Sequence, residues 1–175
     1  MDHELTILSD SMSEAGREVL RLAAAGFETY TKADQSPVTS ADLAVNQILY
    51  DRLSAAFPED GWLSEETADN ASRLSRKRVW IVDPIDGTRS FVRGLPEFCL
   101  SVALVENGVP SVAAIFNPAT GEFFSAIRGR GVRVERLMDT DQPAFTSQER
   151  PVALVNPWEL RVGRLDGLQP HLHCR

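Results

Sequence analysis

Two aspartates three residues apart, Asp83 and Asp86, stand in the stretch Trp80-Ile81-Val82-Asp83-Pro84-Ile85-Asp86-Gly87-Thr88-Arg89-Ser90. An apolar run, Val79 to Val82, reads as a buried strand that stops at Asp83. Carboxylates crowded at a strand end repel one another and lose hydration, so a cation normally compensates them. Their oxygens are hard donors suited to Mg²⁺, Mn²⁺ or Ca²⁺. The stretch is therefore a candidate metal site, with a turn carrying a helix cap as the plain structural alternative.

Two familiar spellings of such a site do not fit. A haloacid dehalogenase phosphatase places its aspartates two residues apart, and Pro84 stands where the first would be. An EF-hand needs oxygen ligands at loop positions 1, 3 and 5 and glycine at 6. Counting from Asp83, positions 3 and 5 hold Ile85 and Gly87, and position 6 holds Thr88.

The elements that must position these acids follow from periodicity. Leu5, Leu8, Met12, Val19, Leu22 and Ala23 recur at helical spacing and predict one amphipathic helix from Asp2 to Gly26. Gln35-Ser36-Pro37 reads as a loop. Thr39 and Asp42 form a capping-box pair ahead of Val45, Ile48, Leu49, Leu53 and Phe57, a second helix that ends before Pro58. Gly61 to Ser64 reads as a short strand leading to Glu65-Glu66, and Ala68 to Lys77 as an exposed loop. Four apolar runs follow: Phe98 to Val105, Ser111 to Phe116, Gly121 to Ile127 and Gly131 to Arg136. Turn sequences separate them, which predicts an antiparallel meander and an α+β layered domain. Arg128, Arg130, Arg133 and Arg136 read as a solvated hairpin edge, since no aromatic residues interleave them for base stacking.

Composition narrows the class. The 175 residues suffice for one domain, and 43% hydrophobic with 25% charged residues is ordinary for a globular protein. A net charge of −7, from 18 basic and 25 acidic residues, argues against a nucleic-acid polymer as partner. Cys99 and Cys174 make no close metal-binding pair, and reduced thiols in a cytoplasmic protein are expected. Asp2 and Glu4 stand where a signal peptide would be basic, and no apolar stretch nears the ~18 residues of a membrane span. His171, His173 and Cys174 read as a tail.

Three blocks in order, Lys32 to Asp42, Ser64-Glu65-Glu66 and Asp83 to Thr88, resemble the inositol monophosphatase superfamily of Mg²⁺-dependent, lithium-sensitive phosphatases. The resemblance runs from Glu28 to Arg136. It implies a layered α/β/α/β/α sandwich, usually a homodimer, binding two or three Mg²⁺, with Mn²⁺ as a substitute. By the same resemblance Glu65, Asp83, the Ile85 carbonyl and Asp86 ligate metal, and Glu66 helps hold the site. Thr88 orients a water and passes its proton toward Asp42, while the Gly87 and Thr88 amides meet the phosphate. Two cations sharing carboxylates can polarise phosphate and activate water without a covalent intermediate. Lys32 matches a family lysine near the site. Arg89 either meets a further anionic group on the substrate or forms a surface pair.

The implied activity is hydrolysis of a small phosphorylated metabolite, inositol monophosphate or similar. A 3′(2′),5′-bisphosphate nucleotide or histidinol phosphate are the alternatives within the superfamily. One departure stands out. The family's Trp-Asp block, whose aspartate completes the second metal site, is missing, and Trp158 is followed by Glu159 and Leu160. Residues 1–150 are thus expected to be the N-terminal α+β domain, and 151–175 the start of a truncated C-terminal part. The absent layers should leave an apolar sheet face open. A catalytically deficient metal- or partner-binding remnant is the competing reading.

Overall fold

The computed structural model describes residues 1–139. The chain divides into two units, Met1–Gln142 and Pro143–Arg175. The expected boundary at 150, Trp158 to Leu160 and the His171–Cys174 tail all lie outside the described residues.

Helix α1 (Asp2–Ala25) buries Leu8, Met12, Ala15 and Val19 along one stripe, the spacing that its sequence predicted. Ala23 is exposed instead, being off that stripe. Gly16 lies so close to the sheet that a Cβ there would stand 2.4 Å from the Phe116 ring. Helix α2 (Ser40–Ala56) starts at the predicted capping box. Thr39 accepts from the Ala41 and Asp42 amides, and the Asp42 carboxylate accepts from the Thr39 amide. Val45, Leu49 and Leu53 join the α1 stripe over the sheet.

The sheet has six strands in chain order: β3 (Gly61–Ser64), β4 (Arg78–Asp86), β5 (Cys99–Glu106), β6 (Val109–Phe116), β7 (Glu122–Ile127) and β8 (Val132–Arg136). β3 runs parallel to β4, and every later pair is antiparallel, so the meander stands as predicted. Trp80, Val82, Leu100, Val102, Leu104, Val112, Ala114, Phe116 and Phe123 face the helices. The opposite face carries the rows Ile81–Ala103–Ala113–Ala126–Val132 and Ser101–Ile115–Phe124–Val134. Ile115 and Phe124 keep 46% and 40% of their surface in solvent, so among the described residues this apolar face is open.

Three local expectations need correction. Pro37 opens a strand, not a loop: β1 (Thr29–Thr31) and β2 (Pro37–Thr39) form a small hairpin before α2. At three residues each, these strands are too short for alternation to register. Ala68 to Lys77 contains a 3₁₀ turn, Ala71–Ser75, started by the Asn70 side chain. Strand β4 does not stop at Asp83 but runs on to Asp86. Arg133 and Arg136 lie on the exposed edge strand β8, while Arg128 and Arg130 lie in the turn before it, with Arg130 paired to Asp2 at 2.7 Å.

Candidate metal and phosphate site

A bulge decides where Asp83 and Asp86 point. Asp83 sits opposite Ser101 and Asp86 opposite Cys99, so three steps along β4 match two along β5. Residues three apart on a regular strand face opposite sides, but one extra residue in the register restores them to the same side. Both carboxylates thereby share the sheet face that the helices leave open. Pro84 lies inside the bulge, where its missing N–H costs no regular ladder bond. Pro84 and Ile85 are buried.

The parallel β3–β4 pairing brings Glu65 to the same level, since Ser64 is opposite Val82 and the Glu65 amide donates to the Val82 carbonyl at 3.2 Å. A side-chain relay from α2 fixes the next turn. Ser64 Oγ donates to Asn46 Oδ1 at 2.6 Å and accepts from the Glu66 amide at 3.3 Å, while Asn46 Nδ2 donates to Thr67 at 2.9 Å. Lys32, on the turn of the β1–β2 hairpin, donates to Glu65 Oε1 and Glu66 Oε1, both at 2.6 Å. The Glu66 side chain is only 8% exposed and the Glu65 side chain 53%. Burial opposes the Lys32 charge, but its bonds to the two glutamates outweigh that and raise its pKa above the usual lysine value.

Asp42 is buried at the start of α2. Its Oδ2 accepts from the Thr39 amide at 2.8 Å and the Thr39 hydroxyl at 2.6 Å. Its Oδ1 lies 3.2 Å from Thr88 Oγ1, and the same hydroxyl is 2.9 Å from the Ile85 carbonyl. One hydroxyl proton thus has two acceptors within reach, one of them the carboxylate that the family resemblance pairs with it. Gly87 caps the short helix α3 (Thr88–Val92) in the left-handed region, with φ 92° and ψ 29°. A Cβ at Gly87 would come 2.8 Å from the Glu97 carbonyl oxygen, so backbone conformation and space both demand glycine. Thr88 and Arg89, opening α3, have amides with no acceptor inside the helix. Arg89 is exposed.

The electrostatics are lopsided. Burial, then repulsion from Glu65, Asp86, Asp42 and Glu66, pushes the Asp83 carboxyl up to about 6. Burial and the charges of Asp86 and Asp83 push the Cys99 thiol up to about 11. Among the described residues no lysine, arginine or histidine pairs with Asp42, Asp83 or Asp86. All-oxygen donors and surplus negative charge fit a hard divalent cation. Yet among these residues no three His, Cys, Asp or Glu side chains gather tightly enough to grip an ion unaided. Sequence reasoning missed the bond from the Thr39 hydroxyl to Asp42 and the place of Asn46. No motif marks Asn46, since its partners Ser64 and Thr67 lie 18 and 21 residues away.

Residues 1–156 match the sequence profile of the inositol monophosphatase family, and the chain belongs to that family. It is 40% identical over 133 residues to the histidinol-phosphatase of Mycobacterium tuberculosis, covering 75% of this chain and 50% of that protein. It is 36% identical over 173 residues to the histidinol-phosphatase of Chlorobaculum parvum, covering 94% of this chain and 66% of that one. The chain therefore spans about half to two thirds of these relatives. Its fold matches an IMPase/NADP phosphatase solved with Mg²⁺ and phosphate, at a TM-score of 0.73 and 22% identity over 99% of this chain and 66% of that one.

Proposed function

We propose that the whole protein is a Mg²⁺-dependent phosphomonoesterase acting on a small phosphorylated metabolite, and that the Asp83–Asp86 face is its metal site. The observation that carries this reading is the bulge, which turns two carboxylates to one face beside the glycine-capped start of α3. Bound Mg²⁺ would supply charge to polarise the phosphate and to acidify a water. Glu65, Asp83, Asp86 and the Ile85 carbonyl are the proposed donors, with Glu66 supporting them. Gly87 and Thr88 offer amides to phosphate oxygens. Thr88 orients the nucleophilic water through its hydroxyl, and Asp42 receives the proton, its other oxygen held still by Thr39.

Histidinol phosphate is the first substrate to test, because two relatives at 36% and 40% identity are named for it. Inositol 1-phosphate and adenosine 3′,5′-bisphosphate are the comparisons. We extend the proposal to a cytoplasmic homodimer, supported by the family resemblance for the pairing and by the acidic composition for solubility. The test is phosphate release by the full-length protein with Mg²⁺. No release from any of the three substrates would reject the reading.

The open apolar face favours a second reading, in which the 175-residue chain is an inactive remnant that binds a partner. Phosphatase activity of this chain alone, abolished by Asp83→Asn, would reject that one.

A further inference from the structure

We propose that Lys32 is a built-in counter-ion that holds the Glu65–Glu66 pair in the metal-free protein and must be displaced when a divalent cation is captured there. The inference rests on the metal site proposed above. Its own observation is the geometry of one ammonium group. Lys32 Nζ stands 2.6 Å from an oxygen of each glutamate, and these are two of its three possible hydrogen bonds. A nearly buried carboxylate such as Glu66 is costly to leave unpaired. Among the described residues Lys32 is the cation that meets it.

A divalent ion drawing on Glu65 competes for the oxygen that Lys32 already holds. Loading therefore exchanges one cation for another, and the measured metal affinity is net of the broken ion pairs. Lys32 is thus a positioning residue: it holds the ligands in place before the metal arrives, and it weakens the metal's grip. The hairpin that carries Lys32 fixes its reach, because the Lys32 amide donates to Ser36 at 2.8 Å and its carbonyl accepts from Gln35 at 3.0 Å.

Binding of Mg²⁺ alone to the 175-residue protein, followed by calorimetry without substrate, tests the exchange. Lys32→Gln should bind Mg²⁺ about fivefold to tenfold tighter, the effect of removing one like charge near 4 Å in a watery site, and Lys32→Arg should bind as wild type does. Equal or weaker binding by Lys32→Gln overturns the inference. A second measurement needs no variant. The chain has two lysines, Lys32 and Lys77, so amine acetylation read by peptide mass spectrometry has an internal reference. Saturating Mg²⁺ should raise the reactivity of Lys32 relative to Lys77 severalfold, and an unchanged ratio overturns the exchange. Mg²⁺ binding that leaves Lys32 untouched rejects this inference alone. No Mg²⁺ binding at all rejects the metal site, and the exchange with it.

Discussion

Strand β4 has charge at both ends, and the two ends are built on opposite plans. At the first end Arg78 reaches Glu4 at 2.9 Å and Asp60 at 3.1 Å, and its guanidinium lies 5.4 Å over the Phe57 ring. Trp80 Nε1 adds a bond to Asp60 at 3.0 Å. Each acid there has a basic or N–H partner. At the far end stand Asp83, Asp86, Asp42, Glu65 and Glu66, and among the described residues the one basic side chain bonded to this group is Lys32, which meets Glu65 and Glu66. Balanced charge ties α1 and the turn before the sheet to β4. Unbalanced charge stores repulsion that an added cation or a proton relieves, the pattern that supports the site proposed above.

Replacing one charge at each end should break this contrast in opposite ways. Asp83→Asn should lower Mg²⁺-dependent turnover of the full-length protein by about a thousandfold, since it removes a proposed metal ligand. The same change should hold or raise the metal-free melting midpoint, because a crowded carboxylate is gone. Turnover retained within tenfold would remove Asp83 from the site. Arg78→Ala should do the reverse, costing about 2 kcal/mol in denaturant unfolding, while the folded fraction binds Mg²⁺ normally. It removes one partner from Glu4, which keeps the terminal ammonium, and one from Asp60, which keeps Trp80 Nε1.

Gly87→Ala should cost about 1–3 kcal/mol, because alanine must adopt φ 92° and press on the Glu97 carbonyl. It should also weaken phosphate binding, checked by titrating inorganic phosphate with Mg²⁺ present. Unchanged stability would show that the turn relaxes freely.

The smallest effect is a pH response of opposite sign at the two ends. Burial opposes ionisation of Glu4, but bonds from the terminal ammonium and Arg78 outweigh it and hold the carboxyl down to about 2, against an ordinary 4.5. Its contribution to stability is complete above 4.5 and is lost as the pH falls toward 2. Asp83 titrates near 6, above its ordinary 3.8, so its contribution is most favourable below 3.8 and is lost as the pH rises through 6. Discounted for its partial exposure, that loss amounts to about 1 kcal/mol. Metal-free melting between pH 4 and 7 should therefore slope downward less in Asp83→Asn than in wild type. Identical slopes would assign the repulsion elsewhere.

Much of this was legible one segment at a time. The Thr39–Asp42 cap needs only neighbouring atoms, and it forms as its spelling predicts. The β5–β6 turn follows from Asn107-Gly108, both residues taking positive φ. Asp83 and Asp86 were also legible as candidate cation ligands, because crowded carboxylates at the end of an apolar run call for compensation. The family resemblance was needed to add Glu65, Glu66 and Asp42. The β1–β2 hairpin was not, being too short to carry a pattern. Asn46 was not either, since its work is to reach from helix α2 to Ser64 at the end of β3 and to Thr67 beyond it.

The sequence by itself determined which residue types could meet a cation and a phosphate, where the helices start, and that the later strands form a meander. Those features depend on contacts a few residues apart. Tertiary structure decided the facing of Asp83 and Asp86, because a bulge is a mismatch between two strands and neither strand alone contains it. It also decided that Lys32 meets Glu65 and Glu66, 33 and 34 residues away. Such a pair forms only after the hairpin and the parallel β3–β4 register have set both partners in place.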